Sequence, residues 1–236
     1  MYVRELWRYP VKSLRGERLE SAALAEEGVP GDRVVHVRQN DRVATARTRH
    51  RLLGLDGTTG PDGGVLVNGF PWDDPRAAEL IRQAAGPGAE PAWYTGPERF
   101  DVLPLLVATD GAIDAFGHDG RRLRPNIVVG GVRGLAERDW PGKVLRIGEA
   151  LIGVRTLRAR CIVTTIDPDD GSQNLDVLRR IHREFDTGLA LNCWVAHPGT
   201  IRPGDPVELL DPSELDHPLP EPRPGGWIVG APYLVP

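Results

Sequence analysis

Arg158-Ala159-Arg160-Cys161-Ile162-Val163-Thr164-Thr165-Ile166-Asp167-Pro168-Asp169-Asp170-Gly171 follows an apolar run at residues 151–157 and leads into polar sequence. The apolar run reads as a strand, and Asp-Pro-Asp-Asp-Gly supplies turn chemistry. Cys161 is therefore expected where a strand leaves the core for a loop, a common place for working residues held on a rigid scaffold. Arginine charge on the N-terminal side favours the thiolate, the form that attacks electrophiles and binds metals. A metal on Cys161, with the rest of the chain holding that metal's anionic cofactor, is the expectation this stretch sets.

Outward from it, most elements are short. Residues 144–147 and 151–157 flank Gly148-Glu149 with hairpin spacing. Residues 176–185 carry Val177, Leu178, Ile181 and Phe185 as a buried helical stripe. Residues 189–195 and 207–210 read as late strands. Toward the N-terminus, strands are expected at 2–8, 19–25, 34–38, 65–67, 92–94 and 127–129. A helix over 76–85 begins at Asp73-Asp74-Pro75 and stops at Gly86-Pro87. Thr109-Asp110 can cap a short helix through Phe116. Gly130-Gly131-Val132-Arg133-Gly134 lacks the spacing of a dinucleotide fingerprint and reads as a turn. Many short strands with close turns favour β-barrel architecture over a doubly wound sheet. Gly96-Pro97 marks a soft boundary, which gives segments 1–96, 97–211 and a proline-rich tail at 212–236. Trp227, Ile228 and Tyr233 suggest that the tail docks on the body.

Composition narrows the function classes. A net charge of −4 with no long basic run argues against a nucleic-acid partner, so any phosphate binding must be local. Twenty-two prolines and 28 glycines against four Phe and four Tyr fit a turn-rich, mainly β fold with a few helices, of the α+β class. No stretch reaches the roughly 20 apolar residues of a membrane span. Two cysteines, Cys161 and Cys193, form no disulfide framework, and the charged start lacks a signal-peptide pattern. A cytoplasmic setting without a membrane partner is expected, and nothing in the sequence demands more than a monomer. Cys193 sits in a mostly apolar run and reads as a buried structural thiol. The six histidines show no paired zinc spacing.

Three basic motifs join the cysteine. Tyr9-Pro10-Val11-Lys12-Ser13 sets a charge beside a hydroxyl, a workable oxyanion cradle. Gly31-Asp32-Arg33 offers an arginine that its aspartate can hold. Arg124-Pro125-Asn126 puts a guanidinium and an amide on a proline-stiffened strand entry. Singly, each is as readable as a solvated turn or a surface ion pair.

In this order, together with Arg-Cys-Ile-Val-Thr-Thr-Ile-Asp-Pro-Asp-Asp-Gly and a closing Gly-Thr-Ile-Arg-Pro-Gly-Asp-Pro-Val-Glu-Leu, the motifs resemble the MOSC family. The amidoxime-reducing, YcbX-like branch is the nearest pattern, over residues 1 to about 211. The resemblance implies an N-terminal β-barrel region, a MOSC β-barrel domain and a molybdenum–molybdopterin cofactor. It implies Cys161 as the molybdenum ligand, and Lys12, Ser13, Arg33, Arg124 and Asn126 as cofactor-binding residues. Arg160 joins them beside the cysteine, Thr109 is a softer match near the phosphate, and Asp167 is a candidate near the reaction centre. Pyridoxal phosphate binding is also linked to the family.

The implied activity is reduction of N-hydroxylated substrates, N–OH to N–H. Electrons would come from a separate donor protein of ferredoxin, flavoprotein or cytochrome type, since the chain has no cysteine cluster for iron–sulfur binding. A persulfide-based sulfur transferase using Cys161, and a non-catalytic carrier of the cofactor, remain as alternatives.

Overall fold

A computed structural model of the chain describes residues 1–226. The fold is mainly β with three helices: α1 over Pro75–Ala85, α2 over Asp110–Phe116 and α3 over Leu175–Glu184. Its largest element is an eight-stranded sheet in the order Glu208–Leu210, Val144–Ile147, Ala150–Ala159, Gly188–His197, Leu105–Thr109, Ile127–Gly130, Tyr2–Arg8, Glu17–Leu19. Among its described strands only Leu105–Thr109 and Ile127–Gly130 pair in parallel, and α2 lies on the crossover between them, as a parallel pair requires. The opening strand thus shares a sheet with strands from beyond Gly96-Pro97.

Alternation packs this sheet, and a bulge between Val3 and Glu5 resets the inward face of the opening strand. Val3 and Leu6 of the opening strand, Ile127 and Val129, and Ile152 and Val154 bury themselves in one core. A second core gathers Val11, Leu14, Val35, Val37, Leu52 and Ile81. It packs among α1 and two three-stranded sheets, one of Val35–Gln39, Arg42–Ala44 and Glu90–Trp93, the other of Gly57–Thr59, Val65–Val67 and Phe70–Pro71. Helix α1 forms as its ends direct: the Asp74 carboxylate accepts from Arg76 N, Pro75 opens the first turn, and Gly86 leaves at φ 104°. A third core gathers Phe116, Leu123, Val177, Ile181 and Phe185 around α2 and α3, and a small fourth cluster of Ala46, Leu53 and Ile166, with Val163 against it, fastens the turn after Cys161 to the N-terminal half.

The expected barrels are not formed as closed ladders. Among the described residues the large sheet stays open, with edges at Glu208–Leu210 and Glu17–Leu19. Its approach to closure is at Val3 N to Asp205 O (2.8 Å) and Val207 N to Met1 O (3.0 Å), around a single bridge between Tyr2 and Pro206. Pro206 has no N–H to extend that bridge into a ladder. The strand expected over 19–25 is likewise split, into Glu17–Leu19 and Ala22–Leu24 on different sheets.

Of the tail residues cited for docking, Trp227, Ile228 and Tyr233 lie outside the described residues. Within them, Trp194 Nε1 donates to Pro220 O (3.0 Å), Gly225 N to Val102 O (2.7 Å) and Gly226 N to Phe100 O (2.8 Å). A Cβ at Gly225 would stand 2.6 Å from Phe100 O, so only glycine fits that approach. No helix among the described residues is long and apolar enough to cross a membrane.

Candidate functional site

Lys12, Ser13, Arg33, Arg124, Asn126, Arg160 and Cys161 line one cleft, which encloses about 830 Å³ of empty space including its open mouth. These residues come from four places in the chain. Ser13, Arg33 and Arg124 all hold left-handed backbone, at φ 72°, 56° and 56°. Such conformations are costly for side chains other than glycine, and their clustering at one cleft marks a site over-determined by its surroundings. Hydrogen bonds supply the determination: Arg33 N donates to Tyr9 O (2.8 Å), and Arg124 N to Arg121 O (3.0 Å). Ser13 Oγ accepts from Ala46 N (3.0 Å), tying its turn to the next loop.

Tyr9 lies behind the cleft's arginines, in the wall of an adjoining cavity. Its ring carries the Arg124 guanidinium at 4.3 Å and that of Arg33 at 5.2 Å, while its hydroxyl donates to Pro125 O (3.1 Å). Burial pushes the Tyr9 phenol up to about 12, so it stays a neutral donor. Arg33 is paired with the buried Asp32, which also accepts from Tyr9 N (2.7 Å). Arg124 donates to Leu14 O and Arg160 to Leu123 O, both at 2.7 Å, and the structure gives neither a carboxylate. Burial pushes both guanidiniums down to about 10. Nε and Nη1 of Arg160 are buried without a hydrogen-bond partner. Such orphaned donors in a cationic cleft fit an anionic guest.

Asn126 is buried, and its amide bridges strands: Oδ1 accepts from Leu106 N (3.1 Å) and Nδ2 donates to Trp7 O (3.4 Å). Cys161 is partly exposed and begins the short helical turn Ile162–Thr165, where its carbonyl accepts from Thr164 N (3.0 Å) and Thr164 Oγ1 (2.8 Å). Cys193 is buried on its strand, and burial raises its thiol well above the usual range.

Two expected residues are not in this cleft. Thr109 is fully buried, accepting from Ala112 N (3.1 Å) to cap α2 and donating to Glu137 Oε2 (2.7 Å). Its hydroxyl is spent on helix capping, which corrects its expected place at the phosphate. Asp167 lines an adjoining cavity with Trp7, Tyr9 and Arg15, one that shares Arg124 and Val163 with the cleft. Its carboxylate accepts from Asp169 N (2.9 Å) and pairs with Arg122 (2.7 Å), and these contacts hold it below the usual carboxylate range. It ties the acidic turn and does not face the thiol's cleft.

Sequence reasoning also missed residues. Arg47, Asp101 and Arg158 line the cleft beside the expected set. Arg158 is expected from the sequence only as charge favouring the Cys161 thiolate, and its i, i+2 spacing with Arg160 along a strand is a usable signal for a shared face. Arg47 and Asp101 stand in irregular segments that offer none.

Two family models match the chain, the MOSC N-terminal beta barrel domain over residues 1–81 and the MOSC domain over residues 112–208. Mitochondrial amidoxime-reducing component 1 of Homo sapiens is 35% identical across a match spanning 88% of this chain and 82% of that protein. The Mus musculus protein of the same name is 31% identical over 47% of this chain, and the match spans 37% of its length. Among solved structures, the YuaD protein of Bacillus subtilis superimposes with a TM-score of 0.47 at 13% identity, over 89% of this chain and 95% of that one.

Proposed function

The chain belongs to the MOSC family, and on that footing we propose that it binds a molybdenum pterin cofactor and reduces N-hydroxylated compounds. The observation that carries this reading is the convergence of six cationic side chains and a thiol on one cleft, with buried arginine nitrogens left unpaired there. A phosphate-bearing guest meets that demand, since burying such an anion requires cationic partners. The amidoxime-reducing name of the human relative supports the reaction class.

The residues divide the work. Arg124, Arg160, Lys12 and Arg33 supply charge to the cofactor's anionic end, with the Ser13 hydroxyl beside them. Asn126 and Tyr9 fix the wall on which the arginines lie. Cys161 offers a soft sulfur ligand to a metal already held by sulfur. When bound, the cofactor supplies two-electron reduction of an N–O bond, the substrate taking two protons and releasing water. The two electrons come from a separate redox protein. The cleft's lysine, Lys12, is committed to Arg99 O and Asp101, which leaves pyridoxal phosphate outside the proposal.

Protein from a cofactor-competent host should carry near-stoichiometric molybdenum and pterin and reduce benzamidoxime with a supplied electron donor. Cys161→Ala should lose the metal and the activity. A variant that keeps both would sink the ligand assignment. Cys161 isolated as a persulfide, in protein without pterin, would instead favour a sulfur carrier.

A further inference from the structure

The cavity behind the cleft encloses about 710 Å³ of empty space including its mouth. That is the size range of small-molecule sites, roughly 300–1,000 Å³. Trp7, Tyr9, Leu53, Val163, Ile166 and Pro168 give it apolar walls. Leu53 and Ile166 are buried, whereas Trp7, Val163 and Pro168 are half-buried at its surface. The polar edge of the Trp7 indole is already used, since Nε1 donates to Glu5 Oε2 at 2.8 Å. Tyr9 cannot swing in to fill the space: its hydroxyl is bonded to Pro125 O, and the backbone of Gly16 lies against its ring, where a Cβ would stand 2.5 Å from Cδ1.

The charges around this cavity neutralise one another. Arg15 pairs with Asp56 at 2.9 Å and Arg122 with Asp167 at 2.7 Å, while Arg121 pairs with both Asp119 (2.6 Å) and Asp169 (2.8 Å). Asp56 and Asp167, the carboxylates in its walls, are thus each held by an arginine. A cationic ligand finds no spare carboxylate there. Apolar walls with a compensated rim suit a guest whose body is flat, apolar and uncharged.

One apolar partition divides the cavity from the cleft. Ala46, Leu53 and Ile166 pack together with Val163 against them. Ala46 and Val163 line the cleft, whereas Leu53, Val163 and Ile166 line the cavity. Cys161 lines the cleft two residues before Val163. Val163 and Arg124 border both spaces, so a guest that fills the cavity reaches the edge of the cleft on the turn that carries the thiol.

We propose that this second cavity seats the uncharged apolar body of the N-hydroxylated substrate, with Trp7, Leu53 and Ile166 as specificity-determining residues. The preferred substrates are then those that join a polar N–OH group to an aromatic or similarly flat body. The inference rests on the proposed reduction and deepens it by naming the substrate class and its seat.

The test compares benzamidoxime with acetamidoxime, which keeps the N–OH group and lacks the ring, by calorimetry on cofactor-free protein. Benzamidoxime should bind about ten-fold more tightly, the effect expected for burying a ring. Leu53→Trp, which fills the cavity, should remove that preference, and Trp7→Ala should reduce it several-fold. A merely structural role would lower the melting midpoint of these variants and leave the preference between the two ligands intact. Equal binding of both ligands by the parent overturns the proposal, as does a folded Leu53→Trp protein that keeps the preference. Should Leu53→Trp fail to fold, Trp7→Ala and Pro168→Trp decide, and an unchanged preference in both overturns it. In molybdenum-loaded protein, Leu53→Trp should raise KM for benzamidoxime and leave kcat near the parent value. Molybdenum, pterin and benzamidoxime reduction retained with KM indifferent to Leu53 and Trp7 rejects the seat and spares the cofactor reading. A ring preference that depends on Leu53 in a chain that never holds pterin supports the seat and rejects the cofactor.

Discussion

Arg160 shows how a single residue can be placed against its own stability. Two of its nitrogens are buried without a partner, and an unsatisfied buried donor costs about 1–3 kcal/mol. Arg160→Met keeps much of the side chain's length and removes that cost. The variant should stabilise the cofactor-free protein by about 1 kcal/mol, read by urea denaturation, while retaining about ten-fold less pterin. A destabilised cofactor-free variant would mean that the guanidinium already has what it needs. The identity of this residue was legible from its place before Cys161. Its lack of acceptors was not, because that depends on which carbonyls a distant segment, here Leu123, brings to it. Thr109 fails in the opposite sense: a hydroxyl at a strand end can serve a ligand or a helix N-terminus, and only the arrival of Glu137 beside it decided which.

The turn after Cys161 depends on Asp167. Asp167 N donates to Ser172 O (2.8 Å), and the carboxylate takes two backbone donors from its own turn besides Arg122. Asp167→Ala should therefore loosen residues 168–172, seen as faster backbone amide exchange there. Molybdenum and pterin content should stay near the parent level. Loss of metal with unchanged exchange would return Asp167 to the chemistry. The helices were readable because caps and stripes are local: α1 and α3 start and stop within a residue or two of expectation. Leu105–Thr109 was not readable as a strand. It lies inside the large sheet with four of five residues buried, so it lacks the alternation that marks a half-exposed strand.

Acid sensitivity belongs to the whole molecule. His36 is buried against Tyr94 with neither ring nitrogen bonded, and burial, then Lys12 and Arg38, push it down to about 4 from 6.5. The folded state thus binds fewer protons than the unfolded one. Its contribution is fully present above pH 6.5 and lost as pH falls toward 4, on the order of 2 kcal/mol. Asp101, also depressed when folded, contributes above its unfolded value of 3.8 and loses that contribution only at lower pH. His36→Phe keeps an aromatic ring beside Tyr94 and should flatten the stability curve between pH 6.5 and 4, as measured by urea midpoints across that window. A curve of unchanged slope would place the titration elsewhere.

What the residues determined alone was everything settled by near neighbours: the mainly β class, the helix boundaries, the turn after Cys161, and the motif set that joins Lys12, Arg33, Arg124 and Cys161. Tertiary structure decided which charges meet. Arg47, Asp101 and Arg158 lie more than fifty residues apart in sequence and within hydrogen-bonding distance in space. It also left the large sheet open at Pro206 and turned Thr109 and Asp167 toward structural partners. The reason is range: caps, turns and alternation act over a few residues, whereas charge pairing and burial depend on the separations that the folded chain creates.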